Sequence, residues 1–251
     1  MINVIICGCN GNMGQTLSRV ISRYDDINIV AGFDISDSSQ KPYPVFKEVA
    51  AIDVAADVIV DFSHTSALED VLELAKTSKT PVVLATTGYS ERQISEFREA
   101  SKEVAVFRTA NMSLGVNLMI DLIKRAAKVL EEGFDIEIVE KHHNLKIDAP
   151  SGTALMLANS IKAELSEKYE YAYDRHLRRE KRRRKEIGIH SIRGGTIVGE
   201  HSVIFAGNDE VLEIKHSAAS KEVFAEGAVR AIRFIAGKAP GLYDMSDVLS
   251  S

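Results

Sequence analysis

The chain has 251 residues, with 31 Lys and Arg against 36 Asp and Glu, and its formal net charge is −5. With 45% apolar and 27% charged residues, the composition is that of a folded globular protein and excludes extended disorder. No run approaches the roughly 20 apolar residues of a membrane-spanning helix, and two cysteines are too few for a disulfide scaffold or a zinc site. We therefore expect a cytoplasmic protein with no metal and no membrane partner.

The first half of the chain alternates apolar runs, typical of buried strands, with helical stretches. Cys7 and Cys9 are both expected in the first strand, separated by a single residue, and no disulfide is predicted between them. Alternating strands and helices predict right-handed crossovers and a parallel sheet covered on both faces. The predicted strands are residues 3–8, 27–33, 58–62, 81–85 and 104–107, and the predicted helices run to about residue 23, over 66–77 and over 90–102.

From about residue 114 the pattern changes, because the strands now alternate apolar and polar residues and lie close together in sequence. Such strands are predicted to be antiparallel neighbours. The sequence therefore predicts an α/β chain: a parallel-sheet domain, then an α+β domain with a mixed open sheet whose free face supports subunit contacts. The predicted elements are a helix over 114–131, a strand over 135–142, a helix from about 153, strands over 186–192, 196–206 and 211–217, and a helix over 221–236 before a short tail.

Residues 174–185 form a basic run, with eight Lys and Arg against two acids. Such a run can bind nucleic acid, or it can be a solvated loop or a patch that attracts a small anion. The run has no interleaved aromatic residues, and the rest of the chain is acidic. We therefore expect no nucleic-acid partner.

Three glycines, Gly8, Gly11 and Gly14, follow the first strand and open a helix. Glycine permits the tight turn and lets the main chain approach a pyrophosphate, which the helix N-terminus then attracts. The spacing differs by one residue from G-x-G-x-x-G, but Asp34 ends the second strand, where an acid can bind a ribose. The alternative is a simple strand-to-helix turn with an incidental aspartate. We favour a Rossmann-type dinucleotide-binding domain.

The residue after Asp34 indicates which nicotinamide cofactor is preferred. A 2′-phosphate is repelled by the acid and needs an adjacent cation. Here Ile35 follows, and the nearest downstream cation is Lys41. The sequence therefore predicts NADH, NADPH or both as cofactor, with NADH used at least as well as NADPH.

The most informative stretch runs from residue 140 to residue 154 and places His142, His143 and Lys146 in one loop. Pro150 and Ser151 then start a helix, whose first turn offers N–H groups and hydroxyls to an anion. Histidine supplies protons and lysine a charge, so the pattern predicts an anion pocket joined to acid–base groups. The alternative is a packed histidine beside an ordinary capped helix.

At this segment the chain resembles the dihydrodipicolinate reductase (4-hydroxy-tetrahydrodipicolinate reductase) family. The family signature Glu-x-His-His-x-x-Lys-x-Asp-x-Pro-Ser-Gly-Thr-Ala is matched at every fixed position from Glu140 to Ala154, and Gly-x-x-Gly-x-Met-Gly is matched from Gly8 to Gly14. Further similarity at residues 86–88, 110–117, 197–201 and 241–249 extends the resemblance over essentially the whole chain.

The resemblance implies an NAD(P)H-dependent reductase of diaminopimelate and lysine biosynthesis that acts on a small cyclic dicarboxylate. It implies that His142 donates and accepts the proton and that Lys146 donates one. It implies a homotetramer, with residues 1–113 and 223–251 binding the dinucleotide and residues 114–222 binding substrate. The implied substrate contacts are His143, Ser151, Gly152 and Thr153, and the implied cofactor contacts are Gly8, Cys9, Asn10, Gly11, Asn12, Met13, Asp34, Ala85, Thr86, Thr87, Thr109, Ala110, Asn111 and Met112.

Two positions depart from the family pattern, since Ala85 stands where the family often has glycine and Ile35 where NADPH-using members often have arginine. Two other functions remain open from the residues alone. One is an aspartate- or homoserine-type dehydrogenase, which would not require the Pro-Ser-Gly-Thr helix start. The other is a non-catalytic nucleotide or nucleic-acid binder that uses the basic run.

Overall fold

The structure is a computed structural model that describes residues 1–36, 41–176 and 178–251; residue 177 of the basic run lies outside the described residues. The chain forms two compact units, Met1–Leu114 with Lys221–Ser251, and Gly115–Ser220. None of the helices formed by the described residues is long and apolar enough to cross a membrane. Over the same ranges, no three His, Cys, Asp or Glu side chains group together as metal ligands.

The elements follow one another in an order close to that predicted. The strands of the described ranges are β1 (Ile2–Cys7), β2 (Ile27–Phe33), β3 (Val45–Phe46), β4 (Val58–Asp61), β5 (Val82–Leu84), β6 (Ala105–Arg108), β7 (Asp135–His142), β8 (Glu170–Ala172), β9 (Glu186–Arg193), β10 (Gly199–Ala206), β11 (Val211–Ala218) and β12 (Gly241–Tyr243). The helices are α1 (Asn12–Ile21), α2 (Leu68–Ser78), α3 (Glu91–Ala100), α4 (Leu114–Leu130), α5 (Gly152–Lys162), α6 (Glu222–Ile235) and α7 (Met245–Leu249).

The described part of the first unit forms one parallel sheet in the order β12-β6-β5-β4-β1-β2-β3. Successive side chains of a strand point to opposite faces, and β1 shows this directly. Val4 and Ile6 pack in the cluster that contains α1 and α6, whereas Ile5 and Cys7 pack in the cluster that contains α2 and α3. The sheet is thus covered on both faces, which confirms the predicted doubly covered parallel sheet.

The two cysteines differ from the prediction in one respect. Cys7 ends β1, but Cys9 lies in the turn after the strand and packs on the side of α1 and α6. Both thiols are free and buried. Burial raises the pKa of Cys9 to about 11, so this thiol is protonated at neutral pH.

The second unit contains a mixed sheet in the order β11-β10-β7-β9-β8, with the helices α4 and α5 packed on one face. Along β7, Ile136 and Ile138 are buried under these helices, whereas the alternate residues Glu137 and Val139 stay partly exposed on the opposite face. This arrangement confirms the predicted α+β unit with a mixed open sheet.

The prediction that β9 and β10 are antiparallel neighbours is wrong, although β10 and β11 do pair antiparallel as predicted. The strand β7 lies between them, parallel to β9 and antiparallel to β10. The connection after Arg193 crosses the end of β7, where Gly194 N–H donates to the His142 carbonyl at 3.0 Å. Two strand spacings are only about 10 Å, so a short connection suffices for the crossing.

Candidate active site

The glycine turn after β1 is built so that only glycine fits at two positions. Gly8 has φ of 76°, and a Cβ added there would lie 2.7 Å from the Phe62 carbonyl carbon. A Cβ on Gly14 would lie 2.1 Å from the Gly8 carbonyl oxygen. The helix α1 then starts at Asn12, and no side chain caps the preceding Gly11. The turn therefore requires glycine at both positions, and the first turn of α1 that follows offers N–H groups of the kind that bind a pyrophosphate.

Asp34 lies directly after β2 and reaches back to this turn. Its carboxylate accepts hydrogen bonds from the Asn10 N–H at 2.9 Å and from both the N–H and the hydroxyl of Ser36. Burial raises the pKa of Asp34, but these hydrogen bonds outweigh it and lower the pKa below its usual value. Asp34 lines a cavity of about 230 Å³ together with Gly8, Gly11 and the exposed side chain of Ile35.

A second cavity of about 380 Å³ brings together most of the other predicted cofactor residues. Lys221 and Phe224 also line it, although no sequence motif links them to the glycine turn. The predicted residues that line this cavity are Met13, Ala85, Thr87, Thr109, Ala110, Asn111 and Met112.

Four predicted cofactor contacts line neither of these two cavities: Cys9, Asn10, Asn12 and Thr86. The side chain of Cys9 is fully buried in the core, which leaves only its main chain for a ligand. Thr86 is also buried, and its hydroxyl donates to Asp61 at 2.9 Å.

In the second unit the predicted segment is organised around Glu140, whose side chain is fully buried. Arg193 donates two hydrogen bonds to the two carboxylate oxygens, at 2.7 and 2.8 Å. The Ser151 N–H donates at 3.1 Å, and the His142 ring contributes a further bond. Burial raises the pKa of this carboxyl, but the hydrogen bonds, led by those from Arg193, outweigh it and hold the pKa at about 2. Glu140 is therefore a carboxylate throughout the physiological pH range.

This carboxylate decides the orientation of His142. Nδ1 of the ring lies 2.6 Å from the Glu140 oxygen. A carboxylate only accepts hydrogen bonds, so Nδ1 carries a proton and Nε2 is the nitrogen available to a substrate. The Nε2 atom lies 3.1 Å from the position of a Cβ on Gly199, so the absence of a side chain at residue 199 makes room for the ring.

His201 supports the same ring from the next strand, β10. The rings of His142 and His201 meet edge to face with centroids 5.2 Å apart. Burial, and secondarily the nearby His142, lowers the pKa of His201 to about 4, so His201 is neutral at pH 7. Its Nε2 lies 3.0 Å from the Ser151 hydroxyl.

Ser151, predicted as a substrate contact, has both its hydroxyl and its N–H engaged inside the unit. The hydroxyl accepts from the Ala154 N–H, which caps α5, and pairs with His201, while the N–H donates to Glu140. The side chain is 2% exposed. The exposed Gly152 and the partly buried Thr153 remain at the first turn of α5 as candidate anion contacts.

Lys146 and His143 occupy the turn between β7 and α5. Nζ of Lys146 pairs with Asp148 at 2.7 Å, and the Lys146 N–H donates to the His143 carbonyl at 3.2 Å. In the described part of the chain, Nδ1 of His143 is buried without a hydrogen-bond partner. The structure thus brings His142, His143, Lys146 and the start of α5 into one segment anchored by Glu140.

Most of the described charge in the basic run is paired within the second unit. Arg175 and Arg178 bind the buried Glu186, and Arg182 binds Asp135 and Glu137. Lys185 also pairs with Glu167. These contacts favour a structural role for the run over a nucleic-acid arm, since paired cations attract a polyanion less strongly.

Unfolding of the second unit is expected to respond to acid through Glu140. The folded carboxyl has a pKa of about 2, below the ordinary value of 4.5, so the unfolded state binds its proton at higher pH. The resulting stabilisation is complete above about pH 4.5 and is lost as the pH falls towards 2. Urea unfolding should therefore show a larger stability gap between wild type and Glu140→Gln at pH 6 than at pH 2.5. An equal gap at both values would contradict this role.

A glycine turn, an acid after the second strand and two cavities at the carboxyl ends of the strands define a Rossmann-type dinucleotide-binding unit. With the anchored histidine and lysine of the second unit, they define a two-unit nicotinamide-dependent oxidoreductase. The chain belongs to the dihydrodipicolinate reductase family: its N-terminal family profile matches residues 2–112, and its C-terminal profile matches residues 115–249.

Individual relatives agree with this assignment over the full chain. A 4-hydroxy-tetrahydrodipicolinate reductase of Caldanaerobacter subterraneus is 52% identical over 249 residues, covering 99% of this chain and 98% of the relative. The protein of the same name from Clostridium novyi is 49% identical over 251 residues, covering 100% and 99%.

Solved structures show which fold is shared. The dipicolinate-bound dihydrodipicolinate reductase of Paenisporosarcina aligns with a TM-score of 0.84 at 23% identity, covering 97% of both chains. The aspartate dehydrogenase of Thermotoga maritima aligns with a TM-score of 0.52 at 12% identity, covering 95% of this chain and 98% of that one. The fold alone therefore does not separate the two activities, whereas the family profiles and identities do.

Proposed function

We propose that this protein reduces the dehydration product of 4-hydroxy-tetrahydrodipicolinate to tetrahydrodipicolinate with NADH or NADPH, a step of diaminopimelate and lysine biosynthesis. The observation that carries the proposal is the histidine fixed through Nδ1 by a buried carboxylate, four residues before Lys146 and shortly before the start of α5. This arrangement occurs in a chain that matches the reductase family from residue 2 to residue 249.

Residues 1–113 and 223–251 are proposed to bind the dinucleotide. The glycine turn keeps a tight path, because added Cβ atoms at Gly8 and Gly14 would collide with the protein's own backbone, and it opens α1, whose first-turn N–H groups are proposed to bind the pyrophosphate. Asp34, which lines the 230 Å³ cavity, is proposed to accept hydrogen bonds from a ribose, and the 380 Å³ cavity near Asn111 is proposed to hold the nicotinamide. When bound, the reduced nicotinamide supplies the hydride, and the protein supplies position and charge.

Residues 114–222 are proposed to bind a small dicarboxylate. Dipicolinate, named in the Paenisporosarcina structure, carries two carboxylates of this kind. Gly152 and Thr153 offer first-turn N–H groups to one substrate carboxylate. The Lys146 ammonium offers a positive charge to either of the two carboxylates. Nε2 of His142 exchanges a proton with the substrate, and Lys146 donates one.

His142→Gln is expected to lower kcat by about 10²-fold, because glutamine cannot exchange a proton at the position of Nε2. The KM values should change by less than about threefold, since the side chain is similar in length and can still donate to Glu140. Steady-state kinetics with both substrates varied will measure this. Near-normal turnover of the variant would remove His142 from the proton transfer.

NADH is expected to give a kcat/KM at least equal to that of NADPH. Asp34 repels a 2′-phosphate, and the adjacent Ile35 is 83% exposed and carries no charge to offset the repulsion. Parallel kinetics with the two cofactors will test this, and Ile35→Arg provides the matched variant, which should shift the ratio towards NADPH. A strong wild-type preference for NADPH would refute the prediction.

The function is tested by a coupled assay in which dihydrodipicolinate synthase generates the substrate and oxidation of NADH or NADPH is followed at 340 nm. Aspartate and homoserine, assayed with the oxidised cofactors, distinguish the dehydrogenase alternative. Turnover only with the synthase product supports the proposal, whereas turnover only with an amino acid overturns it.

A homotetramer is proposed, formed through the sheet face of the second unit that its own helices leave uncovered. Val211 of the edge strand β11 and Ile192 of β9 point to this uncovered face and are 65% and 45% exposed, which is consistent with a surface that a second copy covers. Light scattering coupled to size exclusion measures the assembly directly.

A further inference from the structure

The buried carboxylate of Asp61 has no part in the proton chemistry described above, yet it occupies a central place in the first unit. Asp61 is the last residue of β4, the middle strand of the sheet order, and its side chain is fully buried. The main chain is joined to both flanking strands. The Phe62 N–H donates to Cys7 of β1 at 3.0 Å, and the Ala85 N–H donates to the Asp61 carbonyl at 2.9 Å.

The Asp61 carboxylate accepts four hydrogen bonds from two different loops. One oxygen accepts from the N–H of Ser63 at 3.0 Å and from the Ser63 hydroxyl. The other accepts from the hydroxyls of Thr86 at 2.9 Å and Tyr89 at 3.1 Å. A carboxylate in this geometry fixes both loops at once, because each of its oxygens is held by a different one.

The same two loops form walls of both cavities. Phe62 lines both of them, Ser63 lines the 230 Å³ cavity with Asp34, and Ala85 and Thr87 line the 380 Å³ cavity. Thr86, held by Asp61, lies between Ala85 and Thr87. The glycine turn packs directly on this strand end, as the 2.7 Å approach of a Cβ on Gly8 to the backbone of Phe62 shows.

We propose that Asp61 is a positioning residue that ties the loops of residues 62–64 and 85–89 together and thereby sets the affinity for the dinucleotide across both cavities. This inference rests on the proposed function, since it assumes that the two cavities hold one nicotinamide dinucleotide. Asp61 acts through Ser63, Thr86 and Tyr89 and does not itself touch the cofactor.

Tyr89→Phe is the sharpest test, because Tyr89 lines neither cavity and the change removes only the hydroxyl that binds Asp61. The Kd for NADH is measured by fluorescence titration without substrate. It is expected to rise about fivefold in Tyr89→Phe and about tenfold or more in Asp61→Asn, relative to wild type. The substrate KM and the kcat at saturating NADH should stay within about twofold of wild type.

Tyr24→Phe is the matched control, because it removes a tyrosine hydroxyl that donates to a carboxylate, Glu226, at 2.6 Å in the same unit. Neither residue lines either of the two cavities. This variant should lose thermal stability without changing the Kd for NADH.

The inference is overturned if Tyr89→Phe behaves like the control, with a lower Tm and an unchanged Kd. The test remains decisive if Asp61→Asn fails to fold, because the Kd of Tyr89→Phe is sufficient to support or overturn the inference. Failure of the proposed function is separate: the wild-type protein would then not turn over in the coupled assay, whatever the Kd of the variants.

Discussion

Lys146→Ala is expected to lower kcat/KM by about 10³–10⁴-fold. The change removes the proposed proton donor, a role typically worth about 10²–10⁴-fold, and also the cation proposed to pair with a substrate carboxylate. The loss should appear in both kcat and KM, because the ammonium acts on the ground state through its charge and on the transition state through its proton. Measurement requires saturation curves for the dicarboxylate at fixed, saturating NADH.

Asp148→Asn is the matched control for this variant. Asp148 is the carboxylate that pairs with Lys146, and its side chain is 57% exposed, so the pair contributes little to stability. The lysine itself is kept, and kcat/KM should remain within about threefold of wild type. A Lys146→Ala variant that retains more than a tenth of the wild-type kcat/KM would exclude Lys146 as proton donor.

Glu140→Gln is expected to destabilise the protein by about 3 kcal/mol or more and to lower kcat. The amide removes the negative charge that balances Arg193, whose side chain is only 19% exposed, and breaking one partner of a buried pair costs about 3–5 kcal/mol. The amide also turns an NH2 group towards groups that are themselves donors. Nδ1 of His142 then loses the partner that keeps Nε2 available, so turnover falls even where the variant is folded.

A double-mutant cycle with Arg193→Met separates the charge effect from the packing effect. Arg193→Met alone leaves the Glu140 carboxylate buried without its cation, whereas the double variant removes both charges. The double variant should therefore be more stable than the sum of the two single losses predicts. Additive losses, measured by urea unfolding at pH 7, would show that the two side chains are not coupled.

The hydrophobic pattern of the sequence predicted strand bounds well where burial alone determines which residues are apolar. The strands β2 and β7 match the predicted ranges 27–33 and 135–142, because apolar runs and alternation report burial directly. The prediction of β9 and β10 as neighbours was wrong because strand pairing depends on which strand fills the space between them. The short strand β12 and the helix α7 were absent from the prediction because neither is long enough to establish a period.

For the candidate site, the sequence predicted the residues of the continuous segment 140–154. It did not predict Arg193 and His201, which contact that segment from other strands. Arg193 lies 53 residues from Glu140, and the two meet only because Ser191 of β9 stands opposite Glu140 of β7. Such a register is a property of the folded sheet, and no motif or residue spacing in the sequence indicates it. Similarly, the hydrogen bond between Ser151 and His201 depends on the position of β10, which the sequence around residue 151 does not reveal.

The first unit is assembled from the two ends of the chain, Met1–Leu114 and Lys221–Ser251, around an uninterrupted second unit. The helix α6 supplies seven buried residues, and its Gly227 lies so close to Met112 that an added Cβ would fall 1.7 Å from the Met112 carbonyl oxygen. During synthesis the second unit is therefore complete before the first can close. Until α6 has left the ribosome, the sheet face of Val4 and Ile6 in the nascent first unit can be covered by α1 but not by α6.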